Sequence, residues 1–320
     1  MFRDVYYSII DSLVRRKFSR FGSSREECFL KVASGKTAHG LLLKYNLRTK
    51  KRFGQNFLID ENIIKKIVRQ GNLNSEETVV EIGPGLGAMT QHLGVQAGKV
   101  ICLELDRDLI PVLKETLAEY NGIEIKQGDA LNTNLDLLVN EMKGSLPYKV
   151  IANLPYYITT PLIMHFLESG FNISKMVLMV QKEVAQRMAA QPNTSDYGAL
   201  TVAVQFYCQC NIAFYVPPSV FLPKPAVESA VVELIPLDKP RVAVEDEKLF
   251  FQVVRAAFNK RRKTLVNALA NSPMAFDKAL VSGILSGMQV NEKIRGEALS
   301  IEQFAHIAKE IKEAGMVQDF

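Results

Sequence analysis

Thr78-Val79-Val80-Glu81-Ile82-Gly83-Pro84-Gly85-Leu86-Gly87 is the stretch on which the fold turns. A five-residue apolar run at 78–82 ends in a glycine-rich turn. Glycine lets a backbone reverse sharply and approach a ligand closely. The residues after it read as a helix, whose first N–H groups lack intrahelical partners and can face that ligand. The spacing is not the dinucleotide fingerprint G-x-G-x-x-G, because the third glycine arrives one residue early. On its own the pattern is equally a plain tight turn between strand and helix.

Outward from this turn the pattern is regular. Short apolar runs at 100–105, 123–126, 149–152 and 176–180 alternate with helical stretches at 107–120 and 161–168. Strands alternating with helices predict βαβ units and a parallel sheet. Residues 198–208 fit either a helix or a strand, with helix preferred. Runs at 212–216 and 229–235 flank a Pro-rich connection and are expected to pair antiparallel at the sheet edge. Beyond Pro240 the strand signal stops, and 248–258, 263–270 and 301–314 read as helices. The expected architecture is an α/β, Rossmann-like domain with a mostly parallel sheet over 46–239, and a small all-helical domain over 240–320. Residues 1–45 read as a poorly structured extension, helical in part around 5–18.

Composition is that of an ordinary globular chain, 48% apolar and 23% charged over 320 residues. No apolar run approaches the ~20 residues of a membrane span, and no secretory signal is evident. A cytoplasmic, monomeric protein is the expectation. The four cysteines, Cys28, Cys102, Cys208 and Cys210, lack zinc spacing and read as reduced and structural, so no metal is expected. The net charge of +5 is uneven. Residues 1–60 carry thirteen Lys/Arg against five Asp/Glu, and between Glu247 and Asp277 there are six cations and no acid. Two basic, acid-poor segments suit a polyanion, and equally a solvated face.

Three further signals lie at predicted strand ends. Glu104 closes its strand 21 residues after Gly83, where a carboxylate can accept from both hydroxyls of a ribose. Asp129, in Gly128-Asp129-Ala130, can accept from the amino group of an adenine ring, although alone it is more simply a turn residue. In open α/β sheets the carboxyl ends of the strands form the ligand crevice, and these elements in order fit an adenosine-bearing cofactor. Asn153-Leu154-Pro155-Tyr156 then places an amide, a rigid turn and an aromatic ring at the same edge. The N6 lone pair of adenine is delocalised into its ring, so this amine is a poor nucleophile. Two acceptors gripping its N–H bonds favour a pyramidal nitrogen and aim the lone pair. The Asn153 side-chain oxygen and the Leu154 carbonyl suit that role. Pro155 restricts the residue before it, and Tyr156 offers a stacking face.

Taken with Lys50-Lys51-Arg52-Phe53-Gly54-Gln55-Asn56-Phe57-Leu58, Gln181-Lys182-Glu183, Pro217-Pro218 through Phe221-Leu222-Pro223, and residues 258–265, these motifs identify a family. The chain resembles the ribosomal RNA adenine dimethyltransferases, in particular the bacterial small-subunit type linked to kasugamycin sensitivity. The resemblance covers about residues 45–320. It implies transfer of methyl groups from S-adenosyl-L-methionine to N6 of adenines in small-subunit ribosomal RNA, with a role in small-subunit biogenesis and no metal. It implies that Asn56 and Leu58 hold the methionine end of the cofactor, that Gly83 and Gly85 line it, that Glu104 binds its ribose and Asp129 its adenine, and that Asn153 serves both cofactor and target amine. Phe221 would sandwich the target base opposite Tyr156. Lys51, Arg52, Arg261, Arg262 and Lys263 would grip RNA.

The amino terminus departs from the family pattern, with 49 residues before Lys50 where about 20–25 are expected. An RNA-binding arm, a transit peptide and an upstream mis-assigned start compete. Asp4, Asp11, Glu26 and Glu27 count against the second, and Val32, near where the family's chains begin, favours the third. Alternatives for the whole chain are a large-subunit methylase conferring antibiotic resistance, a non-catalytic nucleic-acid-binding factor on the same fold, and a nicotinamide-dependent dehydrogenase. The last is disfavoured by the glycine spacing.

Overall fold

The computed structural model describes residues 30–47 and 54–315. The segments expected to be helical around 5–18 and to carry Lys51 and Arg52 lie outside the described residues. Those from Val32 onward form one compact unit.

Its centre is a seven-stranded sheet. The strands are β2 (Thr78–Ile82), β3 (Lys99–Glu104), β4 (Ile123–Gln127), β5 (Tyr148–Asn153), β6 (Ile173–Gln181), β7 (Cys208–Val216) and β9 (Ser229–Pro236), in the order β4-β3-β2-β5-β6-β9-β7. All neighbours are parallel as far as β6, while β9 runs antiparallel to both β6 and β7. The expected antiparallel pair at the edge is therefore present, with β7 beginning four residues earlier than the sequence suggests. The order reverses between β2 and β5, and the carboxyl ends of these two strands diverge into a crevice.

β2 is buried at all five positions because helices cover both faces of the sheet. Val80, Ile101, Val150 and Leu178 point to one side. There they meet α5 (Leu135–Glu141), α6 (Thr159–Glu168), α7 (Lys182–Met188) and α8 (Ala199–Tyr207). Val79, Val100, Ile151 and Val177 point to the other. There they meet α1 (Gly35–Lys44), α2 (Glu61–Gly71) and α3 (Ala88–Gln96). The stretch read as one helix over 107–120 is a short 3-10 turn followed by α4 (Ile110–Thr116). β4, at the sheet edge, exposes Glu124, Lys126 and Gln127, and such charge discourages pairing with another chain.

Within the stretch 1–45 read as poorly structured, residues 35–44 form helix α1, and residues 1–29 lie outside the described residues. Ser34 caps it by accepting from the Thr37 N–H at 3.1 Å, and Ala38 and Leu41 are buried. The Lys44 ammonium and the Tyr45 hydroxyl both bind Glu115 on α4. The Val32 N–H reaches Gln91 Oε1 on α3 at 3.2 Å.

The carboxy-terminal helices are α9 (Glu247–Asn259), α10 (Leu265–Ala270), α11 (Lys278–Gly287) and α12 (Ile301–Glu313). They share a core with Phe206 of α8, whose ring stacks on Phe250 at 5.0 Å and meets Phe251 edge-on at 5.3 Å. Helix α11 was not anticipated. Its stripe of Val281, Ile284 and Leu285 is diluted by Ser282, Gly283 and Ser286, which are poor helix formers. Among the described residues no helix is long and apolar enough to cross a membrane.

Candidate active site

A cleft with about 1070 Å³ of empty space opens where β2, β3, β4 and β5 end. Its floor is the glycine turn. Gly83 and Gly85 have φ of +66° and +63°, a region that penalises any side chain. A Cβ on Gly85 would stand 3.0 Å from the Phe57 ring, whereas one on Gly83 would meet nothing within 4 Å. The two glycines therefore serve different ends, close packing at Gly85 and open space for a ligand at Gly83.

Glu104 ends β3 beside this turn and is 6% exposed. Its Oε2 accepts from the Gly85 N–H at 3.2 Å and its Oε1 from the Asp106 N–H at 2.8 Å. Burial pushes its carboxyl up to about 7, against the pull of those N–H donors and with a further push from the Asp106 charge. A carboxylate has about four lone-pair sites, so two backbone bonds leave capacity for ligand hydroxyls. Glu81, on β2 behind the turn, is fully buried and pushed up to about 8, chiefly by burial, with the Thr90 hydroxyl pulling down and the Glu104 charge pushing up.

Asp129 lies across the cleft, half-buried. It closes a local turn by accepting from the Leu131 N–H at 3.0 Å and the Asn132 amide at 2.8 Å. That turn fixes the carboxylate's direction.

Asn153 is the last residue of β5. Its Nδ2 donates to the Asn56 carbonyl at 3.0 Å, and this bond decides which way the amide faces: Oδ1 is left to accept. The Leu154 N–H is held by the Met179 carbonyl of β6 at 3.1 Å, and no donor among the described residues reaches the Leu154 carbonyl. The Pro155 carbonyl accepts from the Ile158 N–H at 3.2 Å and the Thr159 hydroxyl at 3.0 Å, which fastens the loop to the start of α6. Tyr156 lines the cleft, and its hydroxyl meets Ser229 Oγ at 2.5 Å.

The fourth wall is the segment from Gly54 to Leu58. Its two-residue strand β1 (Phe57–Leu58) pairs antiparallel with β8 (Phe221–Leu222). The structure thus gathers Asn56, Leu58, Gly83, Gly85, Glu104, Asp129, Asn153, Leu154, Pro155 and Tyr156 around one cleft.

Two expected residues stand differently. Phe221 is 3% exposed, sits opposite Leu58 in the β1–β8 ladder and belongs to the core beneath the cleft, not to its lining. In this conformation its ring offers no face for a base. Arg261 is exposed, yet its Nη2 donates to the carbonyls of Ser195 and Tyr197, so part of its guanidinium ties the turn after α9 to the chain before α8. Arg262 and Lys263 are exposed beside it. Sequence reasoning missed Gln55, whose amide donates to Asp106 at 2.8 Å, and Val32, Ala38 and Tyr157, which line the cleft. Gln55 was legible within the same motif as Asn56. Val32 and Ala38 were not, because the segment around them shows little apolar period.

The fold and cleft have counterparts among known proteins. The profile of the family described as ribosomal RNA adenine dimethylase matches residues 46–312. A ribosomal RNA small subunit methyltransferase A from Moorella thermoacetica is 48% identical over 286 residues, covering 88% of this chain and 99% of its own. One of the same description from Alkaliphilus metalliredigens is 46% identical over 281 residues, covering 88% and 98%. Among solved structures, a dimethyladenosine transferase from Plasmodium falciparum superposes with a TM-score of 0.67 at 29% identity, covering 81% of this chain and 98% of its own. A 23S rRNA methyltransferase shares the fold, with a TM-score of 0.60 at 24% identity over 80% of this chain and all of its own.

Proposed function

The chain belongs to the ribosomal RNA adenine dimethylase family, and on that premise we propose that it moves methyl groups from S-adenosyl-L-methionine to N6 of adenines in the RNA of the small ribosomal subunit, dimethylating two adjacent adenines. The observation that carries this reading is the Asn153–Asn56 hydrogen bond, which turns the Asn153 amide so that Oδ1 accepts. Together with the Leu154 carbonyl it supplies the two acceptors that a conjugated exocyclic amine needs.

The cleft suits the methyl donor on chemical grounds. Gly83 leaves open backbone, Glu104 can receive the ribose hydroxyls, Asp129 the adenine amino group, and Asn56 and Leu58 of the cleft wall would hold the methionine end. The donor, when bound, would supply a methyl group activated on a sulfonium: as the bond from N6 to that carbon forms, the sulfur keeps the electron pair of its broken bond, and one N6 proton passes to solvent. This chain's own residues do the rest. Oδ1 of Asn153 and the Leu154 carbonyl accept from the two N6 hydrogens and turn the nitrogen lone pair toward the methyl carbon. Pro155 and the bond from the Leu154 N–H to Met179 keep that carbonyl still. The Tyr156 ring holds the base by stacking. No side chain forms a bond to the methyl, so the rate comes from positioning and from dipoles aimed before the reaction begins.

RNA phosphates are the partners of the basic surface in this reading, and Arg262 and Lys263 are two of its exposed cations among the described residues. The small subunit is preferred to the large because the small-subunit relatives share 46–48% identity with this chain, against 24% for the 23S methyltransferase. Incubation with methyl-labelled cofactor and separately purified, unmethylated small and large subunits tests the substrate. Label in small-subunit RNA is expected, and label confined to the large subunit would overturn the reading.

A further inference from the structure

We propose that Ser229 is a positioning residue for methyl transfer, its buried hydroxyl tethering the Tyr156 ring against which the target adenine stacks. The inference rests on the reading of Tyr156 given above and adds a residue from a distant strand to it.

Two observations independent of each other carry the proposal. Ser229 is fully buried at the first position of β9, opposite Gln181 of β6 and Val216 of β7. The chain just before it is held as well, since the Glu228 carbonyl accepts from the Lys182 N–H at 3.0 Å. Three strands therefore fix the place of this hydroxyl. On the other side, the backbone of the Asn153–Tyr156 loop is fixed by its bonds to Met179, Ile158 and Thr159. What these bonds leave free is the Tyr156 side chain, with two torsions between backbone and ring. The contact between its hydroxyl and Ser229 Oγ, 2.5 Å long, removes both freedoms at once. It joins the loop that follows β5 to the first residue of β9, and β6 lies between those two strands.

The consequence concerns rate rather than affinity. A ring that can swing still presents an aromatic face, so a base still binds. Its N6 then samples positions in which the Asn153 oxygen and the Leu154 carbonyl no longer hold its lone pair in the direction of attack. Burial raises the Tyr156 phenol above its ordinary range, so the hydroxyl keeps its proton through neutral pH and the tether persists there.

The test compares Ser229→Ala, Tyr156→Phe and the double variant with the wild-type enzyme, using unmethylated small subunits and labelled S-adenosylmethionine. Single-turnover rates are read at saturating concentrations of both. Each single variant is expected to slow transfer about tenfold, since small misplacements of reacting atoms carry large rate penalties. The double variant is expected to be no slower than either single, because both remove one contact. Apparent affinity for RNA and cofactor is expected to stay within about twofold throughout. A Ser229→Ala enzyme with a lowered melting temperature and an unchanged single-turnover rate would overturn the proposal, as would rate losses that multiply in the double variant. Wild-type enzyme that leaves the small subunit unlabelled would instead overturn the substrate reading, and so the two failures are distinguishable.

Discussion

Replacing Glu104 by Gln should abolish the pH dependence of cofactor binding. The carboxyl is pushed up to about 7 by burial, although two backbone N–H groups already favour its charged form. To accept from two ribose hydroxyls it must be ionised, so binding expels its proton. The sign follows: affinity is full above the raised value and is lost as pH falls through it. With a midpoint near 7, about a tenth of the carboxyl is charged at pH 6 and about nine tenths at pH 8, so affinity should rise about tenfold between them, or ~1.4 kcal/mol. Gln keeps the shape but offers one acceptor oxygen and no charge. A charge-assisted hydrogen bond contributes about 1.5–3 kcal/mol, so the variant should bind about 10- to 150-fold more weakly than wild type at pH 8 and only about 1- to 15-fold more weakly at pH 6. Calorimetry of S-adenosylmethionine binding at both pH values, in buffers of different ionisation enthalpy, reads affinity and proton release together. Wild-type affinity that is flat from pH 6 to 8 without proton release would refute the assignment of Glu104 to the ribose.

A second glutamate of the cleft acts on stability. Glu81 is held near 8 by burial, so the folded chain keeps a proton that the unfolded chain has already lost; stability contributed by the neutral form declines as pH rises from the ordinary carboxylate range toward 8. Glu81→Gln should flatten the fall of melting temperature between pH 5 and 9, and identical slopes in both proteins would contradict the assignment. Tyr156→Ala should lose at least tenfold more single-turnover activity than Tyr156→Phe, which keeps the stacking face; equal losses would deny stacking a role. Arg262→Glu with Lys263→Glu should weaken RNA binding and flatten the dependence of log affinity on log salt by about two units of slope at most, since each lost phosphate contact releases one counterion fewer. An unchanged slope would make those residues a solvated face. Arg261→Glu should instead lower the melting temperature, because its guanidinium holds the Ser195 and Tyr197 carbonyls.

The sheet was legible because burial on both faces leaves strands uniformly apolar. β2 matches the predicted run at both ends, and Asn153 falls at the end of β5 as its motif required. Elements with little apolar signal were not legible. Helix α1 buries only Ala38 and Leu41, and β1 and β8 have two residues each and exist through pairing with one another. The direction of a side chain was beyond the sequence too. The Phe221 motif gives an aromatic residue near the cleft, but the β1–β8 register turns it into the core. Likewise the charge run 260–263 cannot reveal that Arg261 finds carbonyls about 65 positions earlier in the chain. Ser229 carries no local mark at all, because its meaning comes from the strand order that sets it beside Tyr156.

The central claim is that the Asn153 oxygen and the Leu154 carbonyl aim N6 of adenine at a methyl group. Mass spectrometry of nucleosides from small-subunit RNA, methylated by the wild-type enzyme and by Asn153→Ala, tests it most directly. The account predicts N6,N6-dimethyladenosine from the wild type. It predicts at least a hundredfold less total methyladenosine from the variant at equal RNA occupancy, the scale of loss when reacting atoms are misplaced. Methyl groups on a ribose hydroxyl or a ring carbon, or dimethyladenosine formed by Asn153→Ala at close to the wild-type rate, would contradict it.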